Sequence, residues 1–163
     1  MMQIDTKLSV ILLAALAVVA SCGAKAQPCA GVCEAAPEMG EAFPETAFIY
    51  WSDADSGHIR GIANPIHFRL HDVDAPETRS PNQRGGAMCE SERPLGYAAK
   101  EFAVGFTEGA EIVITGSYGE DQYDRLVIDL SVNGQDMAAA LIAVGHGQSW
   151  DYDGGEPKPD WCG

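Results

Sequence analysis

Three short stretches hold the side chains best suited to act on a charged substrate. In FRLHDVDAPET (residues 68–78), the apolar Phe68, Leu70 and Val73 predict a strand with one buried side, ended by Ala75-Pro76. Arg69 then projects away from the residues that anchor it, while Asp74 and Glu77 stand at the strand's exit, where a backbone carbonyl is also left free. Upstream, SDADSG places Asp53 and Asp55 in a turn after the apolar run AFIYW (47–51). Downstream, DQYDR (121–125) sets Arg125 at the entry to another strand. A lone arginine on a strand face with acids nearby is usually solvated surface. Two arginines with acids from separate turns suit a phosphodiester held beside a hard cation.

In this arrangement the sequence resembles the thermonucleases, the staphylococcal-nuclease-like phosphodiesterases. Their DGDT-type acidic turn reads DADS here, with Asp55 as its second acid. Their Arg-Leu strand followed by D-(T/A)-P-E corresponds to Arg69 and then Asp74, Ala75, Pro76 and Glu77, and their DKYGR-like turn to Tyr123 and Arg125. The resemblance covers residues 48–147 and implies a mainly β fold, a five-stranded OB-type barrel with two short helices. It implies a nuclease in which Asp55, Asp74 and the Ala75 carbonyl ligate Ca²⁺ and water fills the other positions. Arg69 and Arg125 clamp the phosphate, and Glu77 acts as general base or orients the attacking water. Beside Ca²⁺ and two guanidiniums, Glu77 is expected to have a depressed pKa, and a structural ion pair with an arginine is its bland alternative. Tyr123 matches a family tyrosine near the substrate, which would be single-stranded or frayed DNA and RNA cut to leave a 3′-phosphate.

The departures from the family pattern are specific. Ala54 stands where glycine is usual, with a backbone cost if that position needs a positive φ. Ser56 keeps the hydroxyl of the usual threonine. Asp124 replaces the glycine before Arg125, which adds a negative charge beside a phosphate clamp, although aspartate tolerates the left-handed region.

These residues must be positioned by one domain. Residues 1–26 read as an export signal: residues 8–20 form an apolar run too short to span a membrane, and Ala24-Lys25-Ala26 offers a cleavage site. A rival reading takes residues 19–22 as a lipobox, with Cys22 lipidated as a membrane anchor. Either way the chain is expected outside the cytoplasm, periplasmic or secreted. Cys29, Cys33, Cys89 and Cys162 then form an even set in an oxidising compartment. Cys89–Cys162 and Cys29–Cys33 are the favoured disulfides, although four cysteines allow three connectivities, and a zinc site is disfavoured by the irregular spacing.

Residues 27–46 read as an irregular lead-in and residues 47–163 as the barrel domain with a tail. Strands are expected at 47–51, 58–62, 66–73, 111–115 and 126–132. Between the third and fourth, Pro94 opens a helix that runs to Gly109, with Leu95, Ala98, Ala99, Phe102 and Phe106 as its core stripe. Asn133-Gly134 marks a turn, and Asp136 caps a helix over 137–144 that stops at Gly145. The tail from Ser149 has no periodicity. Its Trp150 and Tyr152 offer either a stacking surface for a base or a plug for the barrel end.

The formal net charge is −14, which repels a polyanion. Arg60, Arg69, Arg79, Arg84, Arg93 and Lys100 nevertheless fall in one third of the chain and would form a positive rim around the acidic pocket. Acidity as an adaptation to saline surroundings is the other reading. His58, His67, His71 and His146 show no metal-ligand spacing. The alternatives to a monomeric, Ca²⁺-dependent exported nuclease are a catalytically weak or inactive barrel that binds nucleic acid or protein, and a disulfide-stapled structural domain.

Overall fold

Alternating apolar residues build the sheet of this computed structural model, which describes residues 34–163. The long strands are β1 (Phe48–Asp53), β2 (Ser56–Arg60), β3 (Ile66–Leu70), β5 (Ile112–Glu120) and β6 (Leu126–Val132). Two-residue strands β4 (Val73–Asp74), β7 (Gln135–Asp136) and β8 (Gln148–Ser149) and helices α1 (Glu92–Thr107) and α2 (Met137–Ala143) complete the fold. The order across the sheet is β1-β2-β3-β6-β5, with β7 added on β6, and among the described strands only the β3–β6 pairing is parallel. This is a mainly β, OB-like arrangement with two helices, as expected. No ladder closes β1 onto β5 among the described residues, and the segment before β1 lies beside β5 instead, with Phe43 N–H donating to the Ile112 carbonyl (2.9 Å). The core gathers Trp51, Ile59, Phe68, Leu70, Ile128 and Leu130 from the sheet with Met137 and Leu141 of α2.

The expected strand over 66–73 is broken in two, because Asp72 takes a left-handed backbone (φ 54°). The break is encoded in the apolar spacing. Phe68 and Leu70 are two apart and Val73 is three further on, yet all three are buried. One residue off the pleat is what keeps Val73 on the core side. His71 N–H still donates to the Ile128 carbonyl (2.9 Å), so the chain stays tied to β6 through the turn.

Helix α1 begins two residues before the expected Pro94, and two residues of its expected core stripe face outward. Leu95 and Ala98 are exposed, and the face turned inward is Glu92, Gly96, Ala99, Ala103 and Thr107, with Phe102 and Phe106 packed along its margin. Small residues let the helix axis approach closely. A Cβ on Gly96 would lie 2.6 Å from the Glu77 carbonyl oxygen, so the helix rests directly on the loop that follows β4. Pro94 sits in the first turn, where its missing N–H has no partner to lose. At α2 the Asp136 side chain accepts from Ala139 N–H (2.7 Å), and Gly145 (φ 76°) ends the helix with His146 N–H on the Leu141 carbonyl.

A disulfide joins Cys89 to Cys162, the favoured pairing, and removes two thiolates from any four-cysteine zinc site. The Cys29–Cys33 pairing, the export signal and the Cys22 anchor lie outside the described residues.

The contact at Gly96 yields a paired prediction. Gly96→Ala should destabilise the fold by roughly 1–3 kcal/mol through backbone overlap, despite alanine's better helix propensity. Gly105→Ala, on the open side of the same helix with nothing near its added methyl, should stabilise by about 0.5–1 kcal/mol. Urea unfolding of the two variants checks both signs, and equal shifts would contradict the close approach.

Candidate active site

The parallel junction of β3 and β6 brings the two arginines together. Arg69 is in register with Val127, so Arg125, two residues before Val127, shares the face from which Arg69 projects. The same face carries His67, while Phe68 and Leu70 point to the core. Above it opens a cleft of about 740 Å³, lined by Asp55, Arg69, Glu77, Tyr123 and Arg125 among others.

Asp53, Asp55 and Glu77 line this cleft, while Asp74 and Ala75 are buried behind its lining. Asp53 and Asp55 flank the β1–β2 turn, and Ala54 between them is fully buried without a positive φ, so replacing the usual glycine strains nothing. Asp74 ends β4, which is held by its pairing with β8. Residues 75–78 then leave the sheet, and their backbone donors find carboxylates. Ala75 N–H donates to Asp55 Oδ2 (3.3 Å), Glu77 N–H to Glu92 Oε1 (2.9 Å), and Thr78 N–H to Asp53 Oδ1 (3.0 Å). Glu92 has no solvent exposure and its other oxygen accepts from Met88 N–H (2.6 Å). Asp53 and Glu92 are therefore scaffold, and the sequence carries no signal for Glu92 because its partners are backbone groups.

Arg69 centres the site. Its Nη2 lies 3.8 Å from Asp55 Oδ2 and 3.9 Å from Asp74 Oδ1, and donates to the Val73 carbonyl at 3.2 Å. Its guanidinium also lies over the Trp150 ring, 4.6 Å from the centroid. Of the two expectations for Trp150, that contact disfavours the stacking surface. The indole is only 8% exposed, its N–H is spent on the Glu156 carbonyl (2.9 Å), and one face is covered by Arg69, so it supports the arginine rather than offering a surface to a base. Tyr152, expected beside it, is 52% exposed on the cleft wall. Arg125 is held by Asp121 through Nε (2.8 Å) and Nη2 (2.6 Å), and this grip keeps the Asp121 carboxyl below its ordinary range despite burial. Tyr123 is half exposed, with Arg125 and Arg84 both near its ring, and Asp124 takes the left-handed backbone (φ 58°) that its replacement of glycine required.

Glu77 departs from expectation in both partner and charge. Its partner is Lys158, whose Nζ lies 2.8 Å from Oε1, rather than an arginine. Burial pushes its carboxyl up to about 7, with Lys158 opposing and Asp55 adding to the rise. The expected depression assumed a solvated carboxylate among cations, whereas this one is desolvated. Asp74, 1% exposed, is likewise raised to about 6 by burial and by Asp55, against Lys158, the Trp161 hydrogen bond and Arg69. Lys158 also lies 3.4 Å from Asp74 Oδ1, and Trp161 Nε1 donates to Asp74 Oδ2 at 2.8 Å. Neither residue is legible in the sequence as part of the site, since the tail has no periodicity.

Asp55, Asp74 and the adjoining Ala75 backbone are hard oxygen donors and fit a divalent cation by chemistry. The ammonium of Lys158 already places one positive charge against Asp74. A second cluster, Cys89, Glu92 and Cys162, does not fit a metal, because the sulfurs are bonded to each other and Glu92 is committed to backbone donors.

The positive rim is narrower than expected. Arg69, Arg79, Arg84 and Arg125 line the cleft with Lys158, while Arg60 and Lys100 lie over Tyr50 and Arg93 binds Glu90 and Tyr97 away from it. His67 and His58, opposite each other across β2 and β3, stack at 4.3 Å between centroids. Burial lowers both below their ordinary 6.5, aided at His58 by His67 and Arg60 and at His67 by Arg125. Both rings thus fold neutral while the unfolded chain protonates more readily. Their stabilising contribution is full above about 6.5 and is lost as the pH falls through the lowered values. Acidification from about pH 7 to about pH 5.5 should therefore favour His58→Gln relative to wild type in urea unfolding. A stability gap independent of pH would contradict a neutral pair.

The family model described as Staphylococcal nuclease homologue matches residues 67–157, a span that includes Arg69, Asp74, Glu77 and Arg125. A search of curated proteins finds no match. More than half of the sequence is covered by one family, and the strand order and two helices agree with its OB-like fold, so the chain belongs to the staphylococcal nuclease homologue family.

Proposed function

We propose that this protein is an exported, Ca²⁺-dependent nuclease that hydrolyses phosphodiester bonds of single-stranded DNA or RNA. The observation that carries the reading is the position of Arg69 Nη2, nearly equidistant from Asp55 and Asp74 in a cleft that Arg125 and Glu77 also line. Export is supported by the apolar run at 8–20 and by the disulfide, a bond suited to an oxidising compartment.

Each group has a role set by its chemistry. Arg69 and Arg125 share a sheet face and clamp the phosphate; their forks stay charged at any working pH, and Asp121 and Trp150 hold them in place. Asp55, Asp74 and the Ala75 carbonyl hold the cation, which when bound withdraws charge from a phosphate oxygen. Glu77 takes the proton of the attacking water. A carboxyl raised to about 7 by burial is a better base at neutral pH than an ordinary glutamate. Tyr123 and Tyr152 flank the cleft as surfaces for a base or sugar.

A second reading, a catalytically weak barrel that binds nucleic acid, is favoured by one observation: Lys158 and Trp161 engage Asp74 in place of an outside ligand. A fluorescence-quenched single-stranded oligonucleotide separates the two. The nuclease reading expects cleavage that needs Ca²⁺, stops with a chelator, and falls at least about 100-fold in Arg69→Ala and in Arg125→Ala. Arg69→Lys should not restore it, because a point charge cannot bridge two oxygens. Binding without cleavage in wild type would establish the second reading, and chelator-insensitive cleavage would exclude the metal.

A further inference from the structure

The segment after β8 is anchored at both ends around the acids. At its start, β8 pairs with β4, the strand that carries Asp74, and the backbone N–H of Trp150 donates to the Asp72 carbonyl (3.1 Å). At its end, Cys162 is bonded to Cys89, and Cys162 N–H donates to Asp160 Oδ1 (2.8 Å). Cys89 adjoins Met88, whose N–H shares the Glu92 carboxylate with Glu77 N–H, so the far anchor rests on the carboxylate that shapes the loop after Asp74. Between these anchors runs Pro157-Lys158-Pro159, whose two fixed φ angles make a stiff strut. The strut delivers one ammonium to two carboxylates, 2.8 Å from Glu77 and 3.4 Å from Asp74.

A surface lysine pairing with nearby acids would be ordinary. Here Asp74 is buried and Glu77 half-buried, Asp74 is a cation ligand in the proposed nuclease, and Trp161 takes its second oxygen. We infer that Lys158 is the chain's own occupant of the cation site, competing with a divalent ion for Asp74, and that the Cys89–Cys162 disulfide holds it there. This rests on the proposed nuclease reading and adds to it a residue that sets cation affinity. A tethered ammonium acts at an effective concentration of millimolar order, so a divalent ion must displace it before Asp74 is free. Without the disulfide the tail stays attached through β8 but is no longer pinned beside Glu77, so competition weakens without vanishing.

Calorimetric titration of Ca²⁺ into metal-free protein tests this without relying on turnover. Lys158→Met, which keeps the length and removes the charge, should bind Ca²⁺ at least about tenfold more tightly than wild type. The double variant Cys89→Ser/Cys162→Ser should bind a few-fold more tightly, and Asp74→Asn should lose binding. Equal or weaker affinity in Lys158→Met, with binding still lost in Asp74→Asn, would overturn the competition and leave the cation site standing. No Ca²⁺ binding in any of these proteins would overturn both. Should Lys158→Met fail to fold, the disulfide double variant decides, and affinity unchanged from wild type would overturn the inference.

Discussion

Asp55, Asp74 and Glu77 give up much of their hydration in this fold, and the surrounding elements supply donors and cations in return. Burying a carboxylate is costly unless it is paired or hydrogen-bonded, and three beside one another repel as well. The chain meets that cost with Arg69 between Asp55 and Asp74, Lys158 between Asp74 and Glu77, and the Trp161 indole on the remaining Asp74 oxygen. The pKa values raised at Asp74 and Glu77 show that compensation is incomplete. A site left partly uncompensated attracts further positive charge, and that tendency is a physical basis for cation binding.

The same constraint explains why the supporting residues take the forms they do. The loop after β4 cannot pair in a sheet while presenting Glu77 to the cleft, so its N–H groups bond Asp53, Asp55 and Glu92. Those carboxylates must approach from β1, the β1–β2 turn and α1, which requires α1 to lie against the loop, and Gly96 makes that approach sterically feasible. Glu92 therefore reads as part of the loop's hydrogen bonding although it belongs to the helix.

Much of this is legible in the residues. The periodicity of β1, β3 and β6, the Asn133-Gly134 turn, the Asp136 cap and the Asp-Ala-Pro-Glu exit each follow from local chemistry, and local chemistry survives folding. What is not legible depends on contacts distant in sequence. Trp150 reads as either a base platform or a plug because nothing nearby in the chain reveals that Arg69 covers it. Glu77 is expected to have a depressed pKa because burial cannot be read from a motif. Leu95 and Ala98 read as core because apolar spacing cannot show that Glu92, Gly96 and Thr107 set the inward face. His58 and His67 become a stack only once the register of β2 and β3 is known.

In the proposed nuclease a chain of net charge −14 would have to admit a polyanion, and the four arginines lining the cleft would localise the attraction to where a phosphate would sit. Cation and nucleic acid as occupants of one pocket must be thermodynamically coupled in their binding. The most direct test is the affinity of a nuclease-resistant phosphorothioate single strand measured without and with saturating Ca²⁺, and of Ca²⁺ without and with the strand. One shared pocket predicts that each tightens the other by the same factor. Two affinities that ignore each other would place the ion and the strand at separate sites and contradict the account.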